Sequence, residues 1–552
     1  MAGSIKRANI SLAGALVALA YFILSPIYAQ DSLFVDKPVY VPHGQVKVLE
    51  IPSDGLSPSD IENIETIEID EIILERDAQI IIPPFKSVII QNLVAEEGAK
   101  VQLAHSDSGG EGANARFFIK KIKGHVVIES RGGDGRDGRD GRHGRQGRDG
   151  EDGRDARTLI FGLIWLGAGE TGRPGYPGED GEDGEDGQDG GLGGRITLYY
   201  VDKTDESKIF VDVSGGRAGN PGKPGLGGLG GNGGAGGDGW KDGRQGPMGP
   251  RGQAGQPGRP GRPGMPGHAA IYQLNERLYR CLMILDARSS VETLSDDDFD
   301  TCRETNETIP SLSVATIKKV PIVQSTSDYN VSDVDGLLLI SADGMHGRSA
   351  RDARLAGASA ETASSGANGG AMTIFIKDLP ARARLTSRGG RGGNGGNGAR
   401  GLRGGDGRDG RHGGLFRKAQ PGENGASGTH GGNGSDGGHG GSGGYIRVVY
   451  IVSDAQTYDA SWTSRFDVDV SGGIGGDFGV GAEGGEGGLA GRGGKKFLSS
   501  KRAADGYPGV TGKHGRDGRN GAHGDDGHIE FFEASSTTDW IIEEFKAELE
   551  RQ

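Results

Sequence analysis

The chain has 552 residues, of which 108 are glycine and only 6% are aromatic, and its formal net charge is −14 at pH 7. This acidic balance, with no aromatic residues interleaved among basic ones, argues against nucleic-acid binding, although SRGGRGG at 387–393 resembles an RGG box. There is no phosphate-binding GK[ST] motif, and GxGxxG matches carry little information in a chain this rich in glycine.

Residues 1–29 are expected to form a secretory signal peptide. Lys6 and Arg7 precede the apolar stretch ISLAGALVALAYFIL at 10–24, and the small residue Ala29 closes the segment. Cleavage after Ala29 would give a secreted protein with an extracellular, cell-surface or periplasmic location. An uncleaved membrane anchor is the alternative, because the apolar stretch is barely short of a membrane span.

Residues 30–124 are predicted to form a β-rich N-terminal base. The stretch 64–106 is rich in isoleucine and valine, with turns about every eight to twelve residues, which is typical of a small sandwich or a β-solenoid.

Further along the chain, glycine recurs at every third residue in paired runs. Strand-like segments lead into and out of each pair, such as VVIES before Gly132 and RITLYYV after Gly194. The sequence therefore predicts repeated units of strand, outgoing run, tip, returning run and strand. The predicted units are 125–202, 208–274, 337–376, 382–452 and 465–533, of which the third is degenerate.

Glycine at every third residue gives one bare ridge to a helix with three residues per turn, the polyproline II conformation. The runs at 389–398 and 431–444 often hold two glycines per triplet, as the interior members of a bundle of single helices would need. The proline-rich run at 243–267 would suit a collagen triple helix, which is the rival interpretation. The predicted fold class is mainly β plus non-α/non-β. It is a β-rich base, sandwich or solenoid, that projects a bundle of antiparallel polyglycine-II helices in about five hairpin units.

Charge favours an arrangement in which the two runs of the first unit lie side by side. The outgoing run carries an arginine in each triplet from Arg136 to Arg148, and the returning run is acidic from Glu179 to Asp186. Each exposed pair would contribute about 0–1 kcal/mol, so the charges select an orientation more than they stabilise it. The alternative is that both runs merely solubilise the chain.

Both cysteines lie in a predicted connector at 275–336. Cys281 and Cys302 are consistent with one disulfide in an oxidising compartment, and two free buried thiols are the alternative. The acidic stretch SDDDFD at 295–300 lacks EF-hand spacing, so a solvated loop is favoured over a calcium site.

The C-terminal residues 537–552 are predicted to form an amphipathic helix. Ile541, Phe545 and Leu549 would lie on one face, which could dock on the base.

The glycine-rich runs resemble those of the polyglycine-II, or glycine-rich sandwich, proteins over roughly residues 130–530. That group includes springtail antifreeze proteins, the glycine-rich domain of Obg GTPases, the glycine-rich ectodomain of anaplastic lymphoma kinase and the distal adhesins of some T-even-like phages. Over 243–267 the chain also resembles bacterial collagen-like surface proteins. The resemblance implies a helix type and an architecture, but no shared activity.

The tips between paired runs are the candidate binding sites. Four of the five tips carry a large aromatic residue, and exposed apolar residues usually mark interaction sites. The candidate residues are Phe161, Ile164, Trp165, Trp240, Leu415, Phe416, Phe497 and Leu498. The alternative is that these side chains fold back over the ends of the runs. The resemblance to phage adhesins implies receptor-contacting loops at such tips.

Together these features favour a secreted or cell-surface, adhesin-like structural protein that is not an enzyme. Its expected partner is a protein, a glycan or a membrane surface bound through the tip loops, with no nucleic acid, no cofactor and no metal. Histidines within the glycine triplets are expected to point to solvent without metal-site spacing. A purely structural, collagen-like surface-layer or matrix protein is the alternative. Ice binding is a third, against which the many charged triplet positions argue.

Overall fold

The structure is a computed structural model, and it describes most of the chain beyond residue 31. The described residues are 32–35, 37–49, 64–104, 109–159, 164–165, 167–238, 249, 252–253, 255–289, 294–303, 318–320, 337–354, 356–380, 382–413, 419–451, 462–496, 498–534 and 538–550. The predicted signal peptide at 1–29 lies outside them.

Twenty strands and three helices are present in the described part. The strands are β1 (Ser32–Val35), β2 (Val39–Val41), β3 (Val46–Val48), β4 (Thr66–Leu74), β5 (Gln79–Ile82), β6 (Ser87–Ala95), β7 (Lys100–Leu103), β8 (Ala115–Glu129), β9 (Thr158–Leu159), β10 (Ile164–Trp165), β11 (Arg195–Lys203), β12 (Lys208–Asp212), β13 (His268–Gln273), β14 (Lys318–Val320), β15 (Leu337–Ser341), β16 (Ala371–Ile376), β17 (Arg382–Thr386), β18 (Tyr445–Ile451), β19 (Phe466–Asp469) and β20 (His528–Ala534). The helices are α1 (Glu276–Ser289), α2 (Asp296–Arg303) and α3 (Thr538–Glu550).

Successive strands alternate between two parallel sheets. Sheet A runs β4, β6, β8, β11, β13, β16, β18 and β20, with β1 and β2 on its first edge and the antiparallel β14 on its last. Sheet B runs β3, β5, β7, β8, β12, β15, β17 and β19. Because β8 belongs to both, the two sheets are walls of one curved parallel sheet, a half-barrel.

A glycine makes the turn of β8 from one wall to the other. Gly124 has a φ of 86°, which L side chains rarely adopt, and a Cβ there would lie 2.0 Å from the carbonyl oxygen of Ala95. Residues before Gly124 pair with β6 and β11, and residues after it pair with β7 and β12.

The main core lies between the two walls. Alternate residues of each strand point inward, as with the fully buried Ile67 and Ile69 of β4, Ile80 of β5 and Val126 of β8. Isoleucine and valine dominate these positions because β-branched side chains pack well on a pleated surface.

The three helices cover the outer face of sheet A. Beneath them an aromatic ladder crosses four strands, formed by Phe118, Tyr199, Tyr272 and Phe375, with centroid separations of 4.9, 5.0 and 4.8 Å. Ile541 and Phe545 of α3 are buried against this cluster, and Leu549 packs on it. Glu548 of α3 accepts hydrogen bonds from Thr197 and Tyr199, and its burial raises the pKa of this carboxyl.

A disulfide joins α1 to α2 through Cys281 and Cys302. The acidic stretch at 295–300 starts α2. Asp298 accepts hydrogen bonds from the backbone and hydroxyl of Ser295 and lies 3.0 Å from Arg288. The Asp298 carboxylate therefore caps the start of α2 and anchors it to α1.

The glycine-rich runs are the connections that leave sheet B and return to sheet A. The outgoing segments are 131–156, 215–238, 343–354, 387–413 and 471–494, and the described parts of the returning segments lie within 167–194, 252–267, 356–370, 419–444 and 503–527. At every third residue a glycine N–H donates to a carbonyl of the next outgoing segment, as from Gly135 to Arg217 and from Gly138 to Asn220, both at 2.8 Å. Within the first unit, Glu179 donates to the carbonyl of Arg145 at 2.9 Å, and Arg139 lies 3.9 Å from Glu185.

Prolines interrupt this hydrogen bonding between the second and third units. The register places Pro221 and Pro224 where the first outgoing segment has its donor glycines Gly138 and Gly141. The second returning segment has Pro257, Pro260, Pro263 and Pro266 at the equivalent positions. Proline has no N–H to donate. The guanidinium of Arg348 instead donates hydrogen bonds to the backbone carbonyl of Ala218 and to the side-chain oxygen Oδ1 of Asn220.

The fold predicted from the sequence was wrong. It expected a β-rich base at 30–124, a sandwich or solenoid, from which about five hairpin units of antiparallel polyglycine-II helices would project, each entered and left by a short strand. The structure is instead a parallel β half-barrel with three short helices, and the strands that flank every glycine run belong to its walls. The physical reason is burial, because strands such as β16 and β18 place Met372, Ile374 and Ile446 in the same core as the N-terminal strands.

Candidate functional site

The predicted tip residues belong to four different connections. Phe161, Trp240, Leu415, Phe416 and Phe497 lie outside the described residues. Ile164 and Trp165 form β10, which pairs antiparallel with β9 and so makes a small hairpin at the first tip. Leu498 is 91% exposed at the fifth tip and has a φ of 51°, an uncommon conformation for a branched side chain.

A ladder of short polar side chains links neighbouring glycine segments. In many triplets one side chain accepts a hydrogen bond from the backbone N–H of the residue beside it in the next segment. Asp134 accepts from Arg217, and Asp137 accepts from Asn220, both at 2.7 Å. In this ladder the donor and the acceptor are 83 residues apart in the sequence wherever the first outgoing segment bonds the second. The same separation recurs between the fourth and fifth units.

Five histidines belong to this ladder. His143, His346, His412, His430 and His439 each accept a backbone N–H at Nδ1, at distances of 2.8 or 2.9 Å. Such acceptance requires the neutral ring with its proton on Nε2. The expectation from the sequence that His143, His412, His430 and His439 point to solvent therefore missed a structural role, and it did not include His346. One sequence feature could have revealed this role. His, Asp, Asn and Ser, which can all accept a hydrogen bond, occupy the same position of the glycine triplet.

Hydrogen bonding lowers the pKa of two ladder carboxylates, Asp137 and Asp140. The amide side chain of Asn220 is the largest cause for Asp137, followed by the Asn220 backbone N–H. For Asp140 the backbone N–H of Lys223 is the largest cause of the lowered pKa. In both cases the bond favours the ionised carboxylate.

Acid should therefore destabilise the glycine layers. A carboxyl whose pKa is lower in the folded state stabilises the fold above its unfolded pKa of about 3.9, and this contribution is lost as the pH falls through the folded pKa. We expect the melting temperature to drop between about pH 5 and pH 2. Asp137→Asn keeps an acceptor that does not titrate and should reduce the drop, whereas Asp137→Ala should lose about 1 kcal/mol or less at pH 7. Equal acid sensitivity of wild type and Asp137→Asn would contradict the assignment for this residue.

A groove crosses the outer face of sheet A where the returning glycine segments enter their strands. We call it the base groove, and it has a volume of about 730 Å³. Its lining includes Gly267, Gly370, Gly444 and Gly527, with Asn368, Ser442 and Asp526 from the glycine segments and Ala371, Tyr445 and His528 from sheet A.

Tyr445 is held in place by its neighbours on the sheet. Its hydroxyl donates to Glu530 and accepts from Nε of Arg447 at 2.9 Å. The rings of Tyr445 and His528 are stacked, with centroids 6.0 Å apart and planes at 12°. Partial burial, followed by the hydrogen bond to Glu530, raises the pKa of the Tyr445 hydroxyl. The arrangement presents a fixed aromatic face beside polar groups, a combination that recognises ligands and has no evident nucleophile.

The described residues contain no group of three or more His, Cys, Asp or Glu side chains placed to hold a metal ion. Within the same part of the chain, no helix is long and apolar enough to cross a membrane.

Sequence reasoning did not find the base groove. Its residues come from four units, and only the strand register brings Ala371, Tyr445 and His528 side by side. Comparison with known proteins adds no relative, because no family model, no curated protein and no solved structure matches this chain.

Proposed function

We propose that this chain is a secreted or cell-surface, adhesin-like protein that presents binding loops at the ends of its glycine segments. The observation that carries the proposal is that hydrogen bonds between segments continue from the sheet to the tips. In the first unit they run from Gly132 to Ala156, which donates to the carbonyl of Asp238 at 2.7 Å. In the fourth unit Gly413 donates to the carbonyl of Lys495 at 2.8 Å.

Such bonding holds the described ends of the glycine segments at a distance from the core. An extended run of eight triplets with a rise of about 3.1 Å per residue spans roughly 70 Å. Binding through loops that join such fixed ends costs less conformational freedom than binding through a free chain, which favours affinity. Proteins, glycans and membrane surfaces are the partners that such loops could contact.

Apolar side chains at the tips support an interaction more than a purely mechanical role. Leu498 exposes 91% of its surface at the fifth tip, and the first tip carries the apolar sequence LIFGLIWL. Exposed apolar patches usually mark interaction sites. The second candidate is a structural protein of a surface layer or matrix, in which the tips would bind nothing.

Replacement of the first tip tests the proposal. We expect the triple substitution Phe161→Ser, Ile164→Ser and Trp165→Ser to abolish attachment of protein-coated beads to a cell layer, with an unchanged melting temperature. Leu229→Ser is the matched control, because Leu229 is 57% exposed but lies along a segment rather than at its tip. Attachment that survives the triple substitution would remove this tip from the proposal and favour the structural alternative.

A further inference from the structure

We propose that the base groove binds a carbohydrate chain, with one sugar ring stacked on Tyr445 above Ala371. This site lies at the sheet end of the glycine segments, so it goes beyond the tip-binding function and does not depend on it.

The strand register leaves a gap in a row of side chains. Across sheet A the aligned residues are His268, Ala371, Tyr445 and His528. Three of the four are planar rings, and the methyl group of Ala371 is the exception. The ring of His528 stacks on one side of Tyr445, at 6.0 Å, and the register places Ala371 on the strand at the other side. The Arg447 guanidinium lies 5.4 Å from the centroid of the Tyr445 ring, next to the hydroxyl to which it donates.

The gap has the width of one ring. Elsewhere on the same sheet, rings on adjacent strands stack with centroids 4.8 to 5.0 Å apart. Two strand steps separate His268 from Tyr445, so a flat ligand above Ala371 would lie at about the same stacking distance from Tyr445 as those native neighbours.

The side of the groove formed by the glycine segments carries both hydrogen-bond donors and hydrogen-bond acceptors, and the hydroxyl groups of a ligand require both. The Asn368 amide oxygen accepts from the backbone N–H of Ser442 at 2.8 Å, which leaves its NH2 group for a ligand. Asp526 accepts from the backbone N–H of Gly472 at 2.9 Å through one oxygen and presents the other. Ser442 can both donate and accept. Sugar hydroxyls match such donors and acceptors, and the apolar face of a pyranose matches the ring of Tyr445.

Charge and shape favour a neutral or weakly charged chain over other ligands. Arg447 and Glu530 lie 3.9 Å apart and compensate each other, so the groove has no concentrated positive charge for phosphate or nucleic acid. The groove is shallow and crosses several strands, from Gly267 to Gly527, so it can accommodate more than one sugar ring.

The test compares binding to an array of printed oligosaccharides of four to six sugars. We expect wild type to bind a subset of them, and Ala371→Trp to weaken that binding about tenfold by filling the gap. Tyr445→Ala should weaken it similarly, whereas Tyr445→Phe should retain it because the ring remains. Ala235→Trp is the control on an exposed part of the second outgoing segment.

Melting curves accompany each variant, so that loss of fold is distinguished from loss of binding. If Tyr445→Ala unfolds, Ala371→Trp and Tyr445→Phe still decide the question. Absence of binding to every oligosaccharide by the wild type, or binding unaffected by a folded Ala371→Trp, would overturn the proposal. The triple serine variant of the first tip should bind the same oligosaccharides as wild type, which separates this site from the tips.

Discussion

Gly396→Ala is expected to destabilise the protein by about 1–3 kcal/mol, although it adds a single methyl group in a segment without helix or strand. A Cβ on Gly396 would lie 2.3 Å from the carbonyl oxygen of Arg351 and 2.7 Å from its carbonyl carbon. Both neighbours are backbone atoms of a hydrogen-bonded segment, so they cannot move without breaking bonds. The backbone N–H and carbonyl of Gly396 are themselves bonded to Ser435, which prevents the glycine from retreating.

Gly405→Ala is the matched control in the same outgoing segment. Gly405 lies three triplets beyond Gly396 at the same position of the repeat, but a methyl group added there would have no atom of the described residues within 4 Å, apart from its own chain neighbours. This substitution should be neutral or stabilise by up to about 1 kcal/mol, because alanine restricts the unfolded chain. Urea denaturation of both variants measures the difference. Equal effects at the two positions would contradict the close packing of the fourth outgoing segment against the third.

The sequence marks where the third unit ends beside the fourth outgoing segment. At this triplet position the fourth outgoing segment has Gly390, Gly393 and Gly396 beside the short third unit, then Ala399 at its end and Leu402 beyond it. Leu402 is 51% exposed. The first change from glycine to larger residues therefore coincides with the end of the neighbouring segment, and Gly405 is a return to glycine at a place where no close neighbour among the described residues requires it.

Individual elements could be predicted from the sequence, but their arrangement could not. The strands that flank the glycine runs were visible from their alternation, and a C-terminal helix was expected at 537–552 where α3 covers Thr538–Glu550. Their assembly into one parallel sheet was not visible, because the partner of a strand such as β18 lies more than 70 residues away in β16 or β20. Local periodicity reports which residues are buried, but it does not report which strand lies beside which.

The base groove could not be predicted from local sequence either. Ala371 is a small residue at the start of a strand, and only the strand register shows that it lies between the rings of His268 and Tyr445. The five ladder histidines likewise look scattered until the 83-residue and 45-residue separations align them with the aspartates that occupy equivalent positions.

Asp286→Asn is the second substitution with a large expected effect. Asp286 of α1 and Arg116 of β8 form an ion pair of 2.6 Å between Nε and Oδ1, and their side chains are 1% and 3% exposed. Burial is the main influence on Asp286 and raises the pKa of its carboxyl despite the attraction of Arg116. Loss of the carboxylate would leave the guanidinium buried without its ion-pair partner, at a cost of about 3–5 kcal/mol.

The double substitution Arg116→Met with Asp286→Val distinguishes the charge from the packing. Two apolar side chains close in volume to the originals remove both charges from the interior, so this variant should be far more stable than Asp286→Asn and close to wild type in urea denaturation. The ion pair would then serve mainly to fix the position of α1 on sheet A, beside the disulfide that holds α2. A double variant no more stable than Asp286→Asn would show instead that the shape of the pair, including the contact of Arg116 with Ser87 at 3.4 Å, is what the interface requires.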